Sequence, residues 1–456
     1  MFIRTIRAAG LGLAIVATNA LAAPAQTLTD TLVEAYKTSQ LLEQNRALLR
    51  AADEDVALAV SRLRPVLDYI GSYTWSDNRD IETDNTGIGL SATWLLYDFG
   101  RSRLDIEASK EVVLATREAL RDIEQDVLQL GVQAFLDVRL ALETVDLRRN
   151  NVRVISEQLR AARDRFEVGE GTSTDVAQAE ARLAEANSNL SLALGDLAAA
   201  REFYRAVTGA FPVNLARPPA APSIPGSVEE ASSIGVTRHP SILSAQRSVR
   251  ASELTAESAQ RGITPTINLQ ADVTRNWRDD ASDSTDSALS LNLRGPIYQG
   301  GAISAQYRQA LARTEVERAQ LNQAVLDIRR SVGTNWANVQ VARAVIEASV
   351  RQVEAAQIAF EGVQEQQRVG ERTTLDVLDA EQELLDARTT QVSAEIAAVQ
   401  SVYDLLRAMG LLTVDYLGLP VPTYDPSVYF NAVKDAPATS TQGARLDRVL
   451  ESIGQQ

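Results

Sequence analysis

Two acids three residues apart, Asp376 and Asp379, stand in the stretch TLDVLDA. At that spacing they share one face of a helix, and carboxylate oxygens are what hard cations prefer as ligands. On residue pattern alone they read more simply, as an acid of a helix's first turn and a solvated helix acid. Few other residues offer chemistry. The chain has no Cys, which excludes a disulfide framework, a thiolate metal site and a Cys nucleophile. Its one His, His239, precedes Pro240 and reads as a helix-start residue; alone, it rules out paired-His metal sites. No Ser-His-Asp set, no Gly-rich phosphate loop opening a helix after a strand and no metal cluster can be assembled, so the chain is not read as an enzyme and no cofactor is expected. Net charge is −15, from 45 basic and 60 acidic side chains, which argues against a nucleic-acid partner.

Asp376 belongs to an internal repeat, and the repeat sets the fold. VGEGTSTDVAQAEARLAEA from Val168 lies on VGERTTLDVLDAEQELLDA from Val369 without a gap, at an offset of 369 − 168 = 201 residues. Gly169 falls on Gly370, Thr172 on Thr373, Asp175 on Asp376 and Glu180 on Glu381. Each copy reads as the tip of a helical hairpin. Gly169 or Gly370 ends one helix in a left-handed conformation. Thr172 to Thr174, or Thr373 and Thr374, cap the next, with Asp175 or Asp376 in its first turn.

The elements that position these tips follow in order. Residues 1–22 read as a secretory signal, with Arg4 and Arg7, an apolar run from Leu11 to Val16, and Ala20-Leu21-Ala22 as the cleavage site. The first repeat spans 23–211. It holds a helix from Leu28 to Leu63 ended by Pro65, and strands at about 65–75 and 87–97 flanking a polar loop, 76–86. A coiled-coil-like helix of roughly 65 residues follows, about 95 Å if unbroken. The tip near 168–175 and a return helix to about Val207 complete this copy. Residues 212–227, PVNLARPPAAPSIPGS, form a Pro-rich connector. The second repeat, 228–410, replays the first. It has a helix to Arg261, strands at about 265–277 and 287–298, a long helix from Ile303 to Gln367, a tip near 369–376 and a return helix to Met409. A tail, 411–456, carries one expected short helix at 444–453.

Along the strands, apolar and polar residues alternate. Leu67, Tyr69, Tyr73 and Trp75 oppose Asp68, Ser72 and Thr74; Leu289, Leu291 and Leu293 oppose Ser290, Asn292 and Arg294. The strands are about long enough to cross a bilayer when tilted. Aromatic residues mark their ends, as girdles do: Tyr73 and Trp75 at one, Trp94 and Tyr97 at the other, with Trp277 and Tyr298 in the second copy. An open sheet cannot sit in lipid, and four strands do not close a barrel, so the chain must oligomerise. The polar face requires a water-filled lumen. Pattern alone thus reaches an exported ring with a strand barrel and a helical tunnel, of open subunit number.

Element order, repeat, strand pairs, tips and the sequence LYDFG at Leu96 to Gly100 resemble the TolC family of outer-membrane channels, over about residues 28–410. The resemblance implies a mainly α fold with transmembrane β: long α-helical coiled-coil hairpins plus four amphipathic strands per chain, in two tandem repeats. These form a trimeric β-barrel and α-barrel tunnel in the outer membrane with a large periplasmic portion. It implies export of small molecules (multidrug efflux) or of proteins (type I secretion), with a periplasmic membrane-fusion adaptor and an inner-membrane transporter, ABC or proton-driven. The lack of a lipid-anchor Cys leans toward type I secretion. Asp376 and Asp379 match the family's periplasmic gate ring, where cations would pass preferentially and multivalent cations block. Arg372 matches a latch whose acceptors correspond to Thr174 and Asp175; Gln367 stands where the family often has Tyr. Val168, Gly169, Thr172, Val369, Gly370 and Thr373 are the expected adaptor-docking tips. The competing reading, a non-conducting periplasmic coiled-coil adaptor, leaves the membrane-height strands without a purpose.

Overall fold

In the computed structural model, which describes residues 25–78, 81–278, 282–435 and 448, each half of the chain builds the same series. The first half runs α1 (Leu28–Thr38), α2 (Gln40–Ser61), β1 (Val66–Asn78), β2 (Ile81–Tyr97), α3 (Arg101–Glu167) and α4 (Ser173–Thr208). The second runs α5 (Val228–Arg238), α6 (Pro240–Gln260), β3 (Thr266–Arg278), β4 (Ser284–Arg294), α7 (Ala302–Arg368) and α8 (Thr374–Ala408). Two short helices follow, α9 (Val414–Leu417) and α10 (Pro426–Val433). The long helices α3 and α7 have 67 residues each, about 100 Å at 1.5 Å per residue. Their starts differ by 302 − 101 = 201, the offset of the tip motifs.

Three expectations are corrected. The single helix expected before each strand pair is two, broken at Ser39 and again, 200 positions on, at His239. Each break is a cap: Ser39 Oγ accepts from the Leu42 N–H at 3.3 Å, and His239 Nδ1 accepts from the Ser241 N–H at 3.3 Å ahead of a Pro at the first helical position. The polar loop 76–86 is mostly strand: β1 pairs with β2 in unbroken register from Val66↔Thr93 to Asn78↔Ile81. Backbone hydrogen bonds hold this part of the ladder together where no hydrophobic alternation signals it. Finally, β4 starts at Ser284 and ends at Arg294, so Ile297 and Tyr298 lie outside it. Gly295 and Pro296 stop the ladder, because Pro has no N–H to donate. The helices α9 and α10 were not expected from sequence. The expected signal at 1–22 and, apart from residue 448, the expected helix at 444–453 lie outside the described residues.

The strands form one antiparallel sheet in the order β1-β2-β3-β4, so the two repeats join through the β2–β3 ladder. Pairing places Tyr69 beside Leu90 and Leu90 beside Val273 on one face, where all three are exposed. On the other face Asp68, Ser91 and Asp272 align, and Ser91 Oγ donates to Asp272 Oδ1 at 2.6 Å. Gly89 on this polar face is close-packed: a Cβ there would stand 2.7 Å from Thr274 Oγ1 and 2.9 Å from the Val273 carbonyl.

The largest core lies at mid-length of the helices, where Leu32 of α1, Phe135 of α3, Tyr204 of α4 and Leu405, Leu406 and Met409 at the end of α8 meet. Tyr204, fully buried, satisfies its hydroxyl on Thr31 Oγ1 at 2.9 Å. The Pro-rich connector runs without helix or strand, and the start of the described chain is pinned to it: Gln26 N–H donates to the Asn214 carbonyl at 3.0 Å.

Candidate functional site

Both hairpin tips are built alike. Gly169 and Gly370 adopt φ of 80° and 82°, a left-handed turn that a Cβ would strain. Thr172 and Thr373 then cap α4 and α8 through a reciprocal box. In the second tip Asp376 Oδ2 accepts from the Thr373 N–H at 2.8 Å and its hydroxyl at 2.9 Å, while Asp376 N–H donates to Thr373 Oγ1 at 3.2 Å. Bonds from the Thr373 backbone and hydroxyl hold the Asp376 carboxyl below the ordinary Asp range. Asp175 does the same work in the first tip. Val168 and Val369 close α3 and α7 and are 70% and 69% exposed, apolar side chains offered to solvent at each tip.

The latch residues are not brought together within the chain. Arg372 Nε donates to Gln366 Oε1 at 3.2 Å, inside its own tip. The Asp175 carboxylate is taken by Thr172, and Thr174 lies exposed in the first turn of α4. Gln367 is buried and donates to Thr374 Oγ1 at 3.3 Å, joining the end of α7 to the start of α8.

The contacts that do join the second tip to the first hairpin involve residues that sequence reading missed. Arg182 of α4 reaches Asp379 Oδ1 of α8 at 2.8 Å, and its other nitrogen reaches Glu185 Oε2 at 3.2 Å. Leu378, 3% exposed, sits among Ile155 and Leu159 of α3 and Ala179 and Ala186 of α4. Asn151 of α3 donates to Glu381 Oε1 at 3.4 Å between buried side chains. Burial pushes the Glu381 carboxyl up, against the bond from Asn151. No local pattern announces these pairings, since Arg182 and Asp379 are 197 residues apart. One signal was present: Leu378, Asp379 and Glu381 follow one another within a single helical turn.

The LYDFG turn has a clear reason. Phe99 and Gly100 take φ of 56° and 81°, reversing the chain from β2 into α3. Asp98 accepts from the Gly100 N–H at 3.1 Å and the Ser102 N–H at 2.6 Å, filling the orphan donors of the helix start. At the membrane-height sheet, Trp94 Nε1 donates to the Leu63 carbonyl at 2.9 Å, and the Tyr97 ring lies 4.8 Å from that of Phe99. At the far end Tyr73 Oη donates to Asp84 Oδ1 at 3.0 Å, Trp75 is exposed, and Trp277 lies under the Arg275 guanidinium at 5.5 Å. Tyr298, 86% exposed, follows β4. Among the described residues no group of His and acids stands close enough to hold a metal ion, and no helix is long and apolar enough to cross a membrane.

Comparison with known proteins adds the following. A family profile described as "Outer membrane efflux protein" matches residues 31–210 and 236–411. The outer membrane efflux protein BepC of Brucella suis is 37% identical over 91% of this chain and 92% of its own. The outer membrane protein TolC of Salmonella enteritidis is 26% identical over 92% of this chain and 93% of its own. Among solved structures, CusC shares the fold with a TM-score of 0.76 at 21% identity, over 85% of this chain and 92% of that one.

Proposed function

Because this chain belongs to the outer membrane efflux protein family, the family of TolC, we propose that three copies assemble into one export duct whose periplasmic mouth is lined by Asp376 and Asp379. The protein is an outer-membrane efflux channel. The observation that carries the proposed assembly is the sheet: four membrane-height strands with an exposed apolar face, a polar opposite face, and β1 and β4 as edges with no further neighbour among the described residues. In lipid an open edge leaves backbone donors and acceptors unpaired, at several kcal/mol each. Edge pairing of β1 on one copy with β4 on the next removes that cost, and three copies give a closed twelve-stranded barrel with Asp68, Ser91 and Asp272 toward the lumen.

In this reading the hairpins α3–α4 and α7–α8 extend the lumen through the periplasm. The exposed Val168 and Val369 at their tips supply an apolar docking rim for a periplasmic adaptor, which connects an inner-membrane transporter. Tyr73, Trp75, Trp94, Tyr97, Trp277 and Tyr298 serve as interfacial anchors. Cargo is small molecules or polypeptides drawn through the same duct. At the mouth, three Asp376 and three Asp379 carboxylates focus negative potential in a narrow passage, so cations pass more readily than anions. The Arg372 latch to Thr174 or Asp175 then belongs between neighbouring copies.

Purified channel in planar bilayers tests the reading. Reversal potential across a salt gradient should favour cations, and the double change Asp376→Ala with Asp379→Ala should abolish much of that preference. A native mass showing only single chains, or a double variant with its parent's selectivity, would overturn it.

A further inference from the structure

Three contacts within one helical turn hold the start of α8 against the first hairpin. Leu378 is seated between α3 and α4, Asp379 pairs with Arg182, and Glu381 bonds Asn151. Asp376, two residues earlier, returns its carboxylate to Thr373 and takes no part. The two gate acids therefore differ in kind: one is tied to its own helix cap, the other to a guanidinium on another hairpin.

We propose that Arg182 is a gate-positioning residue that couples the charge of the mouth to its width. This rests on the reading of Asp376 and Asp379 as the gate. With the hairpins together, each Asp379 carries a compensating guanidinium, and Asp376 supplies the net negative charge of the ring. Widening the mouth requires α8 to leave the first hairpin, which withdraws Leu378 from its seat and separates Asp379 from Arg182. The mouth then gains an uncompensated carboxylate from every copy as it opens. Width and negative potential rise together. A wider pore discriminates less by size, and the unmasked acids keep it discriminating by sign.

The apolar seat and the ion pair make separate contributions. Leu378 fixes where α8 lies, since a buried side chain of that size has one place to go. The Arg182–Asp379 pair is half-exposed on both sides and weak by itself, which suits a contact that must break during use. Its charge effect does not depend on its strength, because removing either partner changes the net charge at the mouth at once.

Single-channel recording with a salt gradient separates the parts. Arg182→Gln should raise the closed-state conductance and shift reversal potential further toward the cation side. Asp379→Asn should also raise conductance but shift reversal potential the opposite way, because it removes one negative charge per copy from the mouth while Arg182 keeps its positive charge and its bond to Glu185. The exchange Arg182→Asp with Asp379→Arg should return conductance toward the parent value, which a merely structural role for either residue does not predict. Parent-like conductance and reversal potential in Arg182→Gln, measured beside an Asp376→Ala, Asp379→Ala channel that has lost its selectivity, overturn the coupling and leave the gate reading standing. A parent-like double-alanine channel overturns the gate reading, and the coupling with it.

Discussion

Asp53 is a buried acid whose protonation the fold alters. It is fully buried on α2, and neither carboxylate oxygen has a hydrogen-bond partner among the described residues. Burial pushes its pKa up from 3.8 to about 6, with Arg117 opposing and Glu54 adding to the rise. The folded chain therefore holds this proton more tightly than the unfolded chain. The stability it contributes is complete below about pH 3.8 and is lost as pH rises through about 6. Asp53→Asn should stabilise the protein at pH 7.5, on the order of 3 kcal/mol per chain, and leave it nearly unchanged at pH 4. Thermal unfolding of detergent-solubilised protein at the two pH values checks this; an equal shift at both would show that shape, not charge, is responsible. Local capping was readable in advance at this scale. The spacing of Thr172 with Asp175 and of Thr373 with Asp376 is that of a capping box, and both boxes form. Arg182 was not readable, because an arginine on a helix face has many solvent-facing alternatives and only the packing of two hairpins selects Asp379.

At the scale of elements, the three-and-four rhythm located α3, α4, α7 and α8 to within about two residues, because a long helix must bury a continuous stripe. The strands were cut short where their outer ends turn polar. The break at Ser39 was missed, and His239, though read as a helix-start residue, was left inside one helix running to Arg261, because a cap between two helices of one pattern leaves the apolar rhythm almost intact. His239 itself is neutral in the fold: burial lowers its pKa to about 4, which suits a ring nitrogen that accepts from Ser241. The junction of α8 with the first hairpin gives a prediction at this scale. The chain has no native Cys, so Arg182→Cys with Asp379→Cys introduces the only thiols. A short, reducible bifunctional thiol reagent should bridge them, hold single-channel conductance at its closed level and stop export, and a reductant should restore both. Conductance that still rises to the open level after verified cross-linking would show that α8 does not leave the first hairpin when the channel opens.

For the whole molecule, the decisive surface is the exposed apolar face of the sheet. Leu291 lies on it opposite Leu269, 66% exposed in the single chain. Placed in lipid, Leu291→Arg should cost about 2–4 kcal/mol per copy if the position is near the bilayer midplane. Heat-resistant oligomer recovered from outer membranes should fall sharply. The same change at Asn292, on the opposite face, should be tolerated, because a lumen holds water. Equal yields from the two variants would place neither face in lipid. The unbroken length of α3 and α7 has a mechanical consequence. The mid-length core grips α7 at Val332 and Val339, leaving some 30 residues, about 45 Å, between that fulcrum and the tip at Arg368. A tilt of about 5° at the core moves the tip by roughly 4 Å, so little repacking is needed at the pivot to produce a wide excursion at the mouth. A restraint at the end of such an arm resists torque in proportion to the arm's length. The few contacts that hold the start of α8 are thus an effective brake there, and a partner that grasps the tips needs only a small force to release it.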